Sequence, residues 1–262
     1  MKSFKKGFTL IEVLIFLAIS GALAAGIIIS TASVVDKQRY NGAIRGFMDY
    51  MQTVYSEVAN PKNENEGGGR DQNNFIYGKL VVFDQDKGNG QVRTYTVVGN
   101  KNNIKGSVVR DALSLLQDVN ASINRPNSDK ESENRIYEMS LQNMSWDIDV
   151  QDIEGKPFEG SILIARSPSS GVIYTYVAKK KLDAENGQDL KDFFSLSKED
   201  KEEYKFKTED ISFCIAPKQM ILYGGERYEV RLTTNSHDSS GVVLYSLDDR
   251  EEDGNKCLGN KE

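Results

Sequence analysis

The sequence predicts an α+β protein: one long N-terminal helix, half transmembrane and half amphipathic, packed on a mainly antiparallel β head. Three observations carry that prediction. Phe8 to Val35 is a run of about 28 residues without proline, charged only at Glu12, against the roughly 20 residues that span a bilayer as a helix. Behind it, apolar side chains recur at steps of three and four, the spacing of one helical face. Beyond Pro61 the chain turns to short apolar and β-branched runs divided by Gly, Asn, Asp and Ser clusters, the pattern of strands and turns.

The helix comes first. Tyr40, Ile44, Phe47, Met51, Val54 and Val58 form its apolar stripe, with Asp36, Arg39, Arg45, Asp49 and Glu57 between them. Asn60-Pro61 is the expected stop, because the residue before proline resists helical dihedrals. A helix from Phe8 to Ala59 would run roughly 78 Å at 1.5 Å per residue. Its first half is the membrane anchor, and the stripe on its second half is the seam to the head. Gly21, Gly26, Gly42 and Gly46 each weaken it, by up to about 1 kcal/mol against alanine. Close helix packing is one use for Gly21 and Gly26, and local melting is another.

The head follows a polar, glycine-rich linker, Lys62 to Asn74. Lys79–Phe83 and Val92–Val98 flank the turn-forming string DQDKGNG and read as a hairpin. Ser107 to Asn120 reads as a helix, with Val108, Leu113, Leu115 and Leu116 apolar. Ile136–Leu141 and Met144–Val150 are expected to pair. Ser161–Ala165 and Val172–Val177 flank SPSSG, a second hairpin signal. Leu182 to Thr208 is charged and mixed. Ile211–Ile215, Tyr228–Thr233 and Val242–Leu247 are the closing strands. A division into two β subdomains near Asp152 to Gly160 stays open at this point.

Charge and cysteine usage narrow the function. The net charge is −6, with 33 basic and 39 acidic residues. That balance opposes a bulk electrostatic grip on DNA or anionic membranes. Lys2, Lys5 and Lys6 precede the apolar run and Asp36 follows it, so the positive-inside rule leaves the N-terminus cytoplasmic and the head outside. In that compartment Cys214 and Cys257 are expected to pair, although two free thiols remain the alternative. A bridge would close a loop of about 44 residues, for which loop entropy gives roughly 4 kcal/mol.

Chemistry in the head is sparse. There is no HExxH, GxSxG or phosphate-loop string. The only histidine, His237, lies in the turn-like NSHDSSG, and neither cysteine belongs to a CxxC pair. DQDKGNG starts like a calcium loop at Asp84 and Asp86, but Gly88 holds the fifth position and Tyr95 stands where a bidentate Glu is required. The acidic run from Asp248 to Asp253 reads as a solvated face. Lys179-Lys180-Lys181 reads as a solvated turn, with a local DNA contact as the alternative. The chain is therefore expected to be no enzyme, with no cofactor and no metal.

Glu12 is the anomaly. A carboxylate in hydrocarbon costs at least about 2.5–3.5 kcal/mol on insertion scales. It either takes up a proton or meets a cation. The string Lys5-Lys6-Gly7-Phe8-Thr9-Leu10-Ile11-Glu12 resembles the processing site of type IV pilins and pseudopilins. The resemblance covers roughly residues 2 to 35. It implies a leader of residues 1–7, a helix of 8–60 serving as membrane anchor and filament core, and an extracytoplasmic head of 61–262. A prepilin peptidase would cut between Gly7 and Phe8, the Phe8 amine would be N-methylated, and Glu12 would meet the amine of a neighbouring subunit. Other pilin subunits, inner-membrane assembly machinery and the membrane itself are the implied partners. Many pilins also have a disulfide near the C-terminus, where Cys214 and Cys257 lie. One landmark is missing: Ile29 stands where many members carry a helix proline.

The expected role is a minor pilin in a filament. Removing the leader leaves 30 basic against 39 acidic residues, a net charge of −9. Alternatives are a pseudopilin of a secretion or DNA-uptake machine, and a membrane-anchored protein binding a surface ligand in adhesion. Ala22-Leu23-Ala24 also resembles a signal-peptidase site, but the apolar run continues to Val35 and Glu12 sits within it.

Overall fold

The computed structural model describes residues 9–61, 74–84, 91–100, 116, 117, 119, 121–123, 140–143, 148–167, 170–182, 190, 206–217, 228–245 and 257. Helix α1 (Leu10–Ala59) is one unbroken element of 50 residues, about 75 Å long at 1.5 Å per residue. Thr9 caps its start, and at its end the Asn60 N–H donates to the Ser56 carbonyl at 3.0 Å, directly before Pro61. Among the described residues none lies within 4 Å of a Cβ built on Gly21, Gly26 or Gly42.

Two antiparallel sheets surround the distal half of α1. Their strands are β1 (Asn74–Asp84), β2 (Gln91–Asn100), β3 (Ser122–Ile123), β4 (Ser140–Asn143), β5 (Ile148–Gln151), β6 (Gly160–Arg166), β7 (Ile173–Ala178), β8 (Ile211–Pro217), β9 (Tyr228–Leu232), β10 (Asn235–Ser236) and β11 (Val242–Tyr245). Among the described residues the larger sheet has the order β10-β7-β6-β1-β2-β3, with β4 also on β2. The smaller has the order β11-β9-β8-β5. Both expected hairpins form, β1 with β2 and β6 with β7. Gly171, at φ +73°, ends the second turn in the left-handed region that a side chain resists.

The larger sheet is buried on both faces. Val81, Phe83, Ile162, Ile164 and Val177 face α1, while Leu80, Val82, Leu163, Ala165 and Tyr176 face a second core with Leu116, Val119, Leu182 and Phe206. That explains why β6 is a continuous apolar run without alternation. Of the expected helix over 107–120, most lies outside the described residues; its end, at Leu116 and Gln117, is helical.

One expectation changes. In the described parts of the runs 136–141 and 144–150 the pairing is not mutual: β4 extends the larger sheet on β2, and β5 joins β8. The reason is burial. Pairing with β8 buries Ile148 and Val150 beside Phe213 and Ile215 in the core under α1. Strands before and after 152–160 share a sheet, since β1 pairs directly with β6 from Gly78↔Ala165 to Phe83↔Gly160. Isolated bridges join Gln151 to Pro157 and Val177 to Lys207, in the segments just before β6 and β8.

The seam between helix and head is the stripe read from the sequence. Tyr40, Ile44, Phe47, Met51, Val54 and Val58 are each at most 3% exposed, and Ala43 and Tyr55 join them. Full burial of a large apolar side chain is worth roughly 1.5–3 kcal/mol, so the stripe holds the head as one body with the helix. Phe47 meets Phe213 edge-on, with ring centroids 5.8 Å apart, and Phe83 and Phe158 complete the aromatic group. Three tyrosines on α1 add directional bonds. The Tyr40 hydroxyl donates to the Ile215 carbonyl and accepts the Tyr228 N–H at 3.4 Å. Tyr50 bonds the Thr94 hydroxyl, and Tyr55 bonds that of Thr175 at 2.5 Å. Burial pushes the Tyr55 phenol up to about 12, so it stays neutral in ordinary conditions. Gly241 lets the chain pass this ring: a Cβ there would lie 2.8 Å from it.

Candidate functional site

The start of α1 is a capping box. Thr9 has extended dihedrals, φ −73° and ψ 151°, and its hydroxyl accepts the Glu12 N–H at 3.3 Å. The Glu12 carboxylate reaches back to accept the Thr9 N–H at 2.8 Å and the Thr9 hydroxyl at 2.9 Å. Two N–H groups that a helix start leaves unpaired are thus satisfied reciprocally. Gly7 and Phe8 lie outside the described residues. Glu12 is the third residue of the helix, and among the described residues no cation pairs with it.

The next 23 positions of the helix, from Val13 to Val35, are uncharged. Their described large apolar side chains are bare, as are those of the first turn, from 79% exposed at Leu10 to 43% at Val35. No described residue of the head folds back to cover them. By length and composition this half of α1 is able to cross a membrane. Its polar groups need not oppose that. The Thr31 hydroxyl, for example, donates to the Ile27 carbonyl of its own helix at 2.9 Å.

The head carries a disulfide between Cys214 on β8 and Cys257, with Cα atoms 5.4 Å apart. Cys214 stands in a cross-strand row with Gln151, Glu229 and Tyr245, on the side of the smaller sheet away from α1. The Glu229 carboxylate is fully buried and accepts from Arg231 Nε and Nη at 2.8 Å, and the Arg231 guanidinium lies 4.2 Å over the Tyr245 ring. A charge pair shielded this far is costly to break from one side. Reduction opens a loop of about 44 residues and should lower the melting temperature of the protein truncated within the stalk, residues 36–262, which keeps the helix stripe of its core and should contain no titratable thiol before reduction; two free thiols in exported protein would refute the bridge.

The other sequence candidates show no convergence. His237 is exposed, and the hydrogen bonds of its turn run among Ser236, Asp238 and Ser240. Lys179 and Lys180 are exposed at the end of β7. The Glu154 carboxyl nearby is held below its usual range by its bond and ion pair with Lys156, with a smaller contribution from Lys179. Residues 85–90 of the calcium-like string lie outside the described residues. No group of three His, Cys, Asp or Glu side chains suited to a metal occurs among the described residues.

Sequence reasoning missed two features. The Glu229–Arg231 pair has no signature, since charged residues two apart on a strand usually face water. The capping box did have one: Thr-x-x-Glu before an apolar run is a helix-start signal. The eye goes to Glu12 as a misplaced charge and passes over its local partner.

Comparison with known proteins adds one finding. A family model described as the prokaryotic N-terminal methylation motif matches residues 2–28. No curated protein and no solved structure matches the chain. The matched segment is the prepilin-cleavage signal of type IV pilins and pseudopilins. Together with the bare apolar half of α1 it marks a pilin-like, processed protein with a membrane-anchored precursor.

Proposed function

We propose that this chain is a minor subunit of a type IV pilus-like filament. The observation that carries the reading is the methylation motif over residues 2–28, set on a helix whose first half is bare and whose second half is the core of the head. The precursor sits in the cytoplasmic membrane with its N-terminus inside. A prepilin peptidase cuts between Gly7 and Phe8, and the Phe8 amine is methylated. The stalk then passes from lipid into the filament core, which is also apolar, so little hydrophobic free energy is lost in the transfer. The rigid head follows, because its seam to α1 leaves no hinge between them. A head of about 200 residues is well above the size needed for its own core and is bulky to repeat at every filament position. This supports a minor place rather than the main repeating unit.

The role is structural: binding to neighbouring subunits is the chemistry, and the site residues are Gly7, Phe8 and Glu12. The test is intact-mass and N-terminal analysis of the chain recovered from sheared filaments of its own cell. The expected species begins at Phe8 and carries one methyl group on its amine. A chain beginning at Met1 or Ala25, or one retained wholly as single subunits in the membrane, would overturn the reading. Filaments confined to a secretion or DNA-uptake apparatus would replace pilin by pseudopilin.

A further inference from the structure

The two oxygens of the Glu12 carboxylate are used unequally. Oε2 accepts both bonds from Thr9, the N–H and the hydroxyl. No described residue bonds to Oε1, and the side chain is exposed. The carboxylate is therefore held by one edge against the helix start, with its other edge open.

We propose that Thr9 is a positioning residue for assembly: its cap fixes the Glu12 carboxylate and presents Oε1 to the cation of an adjoining chain. The proposal rests on the reading that Glu12 meets a neighbour's amine, and it names the residue that prepares it. A glutamate on a bare helix has three torsions to freeze when it pairs. The cap freezes them before the neighbour arrives, so the pairing loses less entropy. The cap also pins the charge to the first turn. The neighbour's axial register is then defined to within about one helical pitch of 5.4 Å. Cleavage before Phe8 leaves Thr9 and its N–H inside the chain, so the cap survives processing. The Thr9 hydroxyl is essential to the arrangement because it does two jobs, accepting from the Glu12 N–H and donating to Oε2.

The test uses the full-length chain in its own cell. Four variants are compared: Thr9→Val, Thr9→Ser, Glu12→Gln and the double change Thr9→Val/Glu12→Gln. The readout is the fraction of cleaved, methylated chain found in sheared filaments, so that any effect on the peptidase is divided out. Thr9→Val should lower that fraction about two- to tenfold, the scale of freezing one rotamer-rich side chain on pairing. Thr9→Ser keeps the hydroxyl and should restore it. The double variant should match Glu12→Gln alone, because without the charge there is nothing for Thr9 to position. Thr9→Val at or above the wild-type level overturns the proposal, as does failure of Thr9→Ser to restore incorporation. A double variant below Glu12→Gln also overturns it, since Thr9 would then serve the helix start and not the carboxylate. Normal incorporation of Glu12→Gln removes the underlying reading, and the proposal with it. If Thr9→Val is not cleaved at all, Thr9→Ala supplies the same comparison.

Discussion

Gly7→Leu should leave the chain in the membrane at full precursor mass, with no species beginning at Phe8. The peptidase must fit a small residue beside the scissile bond, and leucine adds four carbons where glycine has none. The consequence reaches beyond cleavage. An uncut chain keeps Lys2, Lys5 and Lys6 at the head of the stalk. Burying one of those ammonium groups in an apolar filament core costs about 2.5–3.5 kcal/mol on insertion scales, about 70- to 400-fold in occupancy, and three are present. The uncut chain should therefore be lost from sheared filaments while its head folds normally. Intact-mass analysis of the membrane fraction and quantification of the filament fraction check both halves. Normal cleavage of this variant would count against the assigned site.

Glu12→Gln should be cleaved and methylated normally, fold its head normally and enter filaments about tenfold less. The head begins its contacts at Tyr40, 28 residues further along the helix, about 42 Å at 1.5 Å per residue. Its stability has no reason to change. Glutamine also preserves the capping box, because its amide oxygen accepts the Thr9 N–H as the carboxylate does. Only the charge is removed. A hydrogen bond to a charged partner contributes about 1.5–3 kcal/mol, and a neutral one about half that, so the deficit measures pairing and not helix formation. The fraction of chain in sheared filaments, against the membrane fraction, is the quantity to compare. Equal incorporation of wild type and Glu12→Gln would show that the carboxylate does not select its neighbour.

Much of the fold is legible because its periodicities are strong. The stripe from Tyr40 to Val58 is written in side chains at three- and four-residue steps, and burial follows it residue by residue. The β1–β2 and β6–β7 hairpins are legible because Gly and Ser clusters punctuate apolar runs. Strand partners are another matter. Nothing local to Ser140–Asn143 or Ile148–Gln151 says that the first lies on β2 and the second on β8. A run of four residues satisfies many edges equally, and the choice falls to whichever face completes a core.

The sequence by itself determined the apolar anchor, the position of its one charge, the processing string before it and the seam on the distal helix. These are local properties, set by side-chain type and spacing along one chain axis. Only the tertiary structure decided that strands on both sides of 152–160 share one sheet, and that three helix tyrosines find their partners at Ile215, Thr94 and Thr175. It also decided that Glu229 and Arg231 are buried as a pair beside Cys214. Those outcomes depend on which distant segments exclude water together, a sum over the whole core that no single stretch of residues contains.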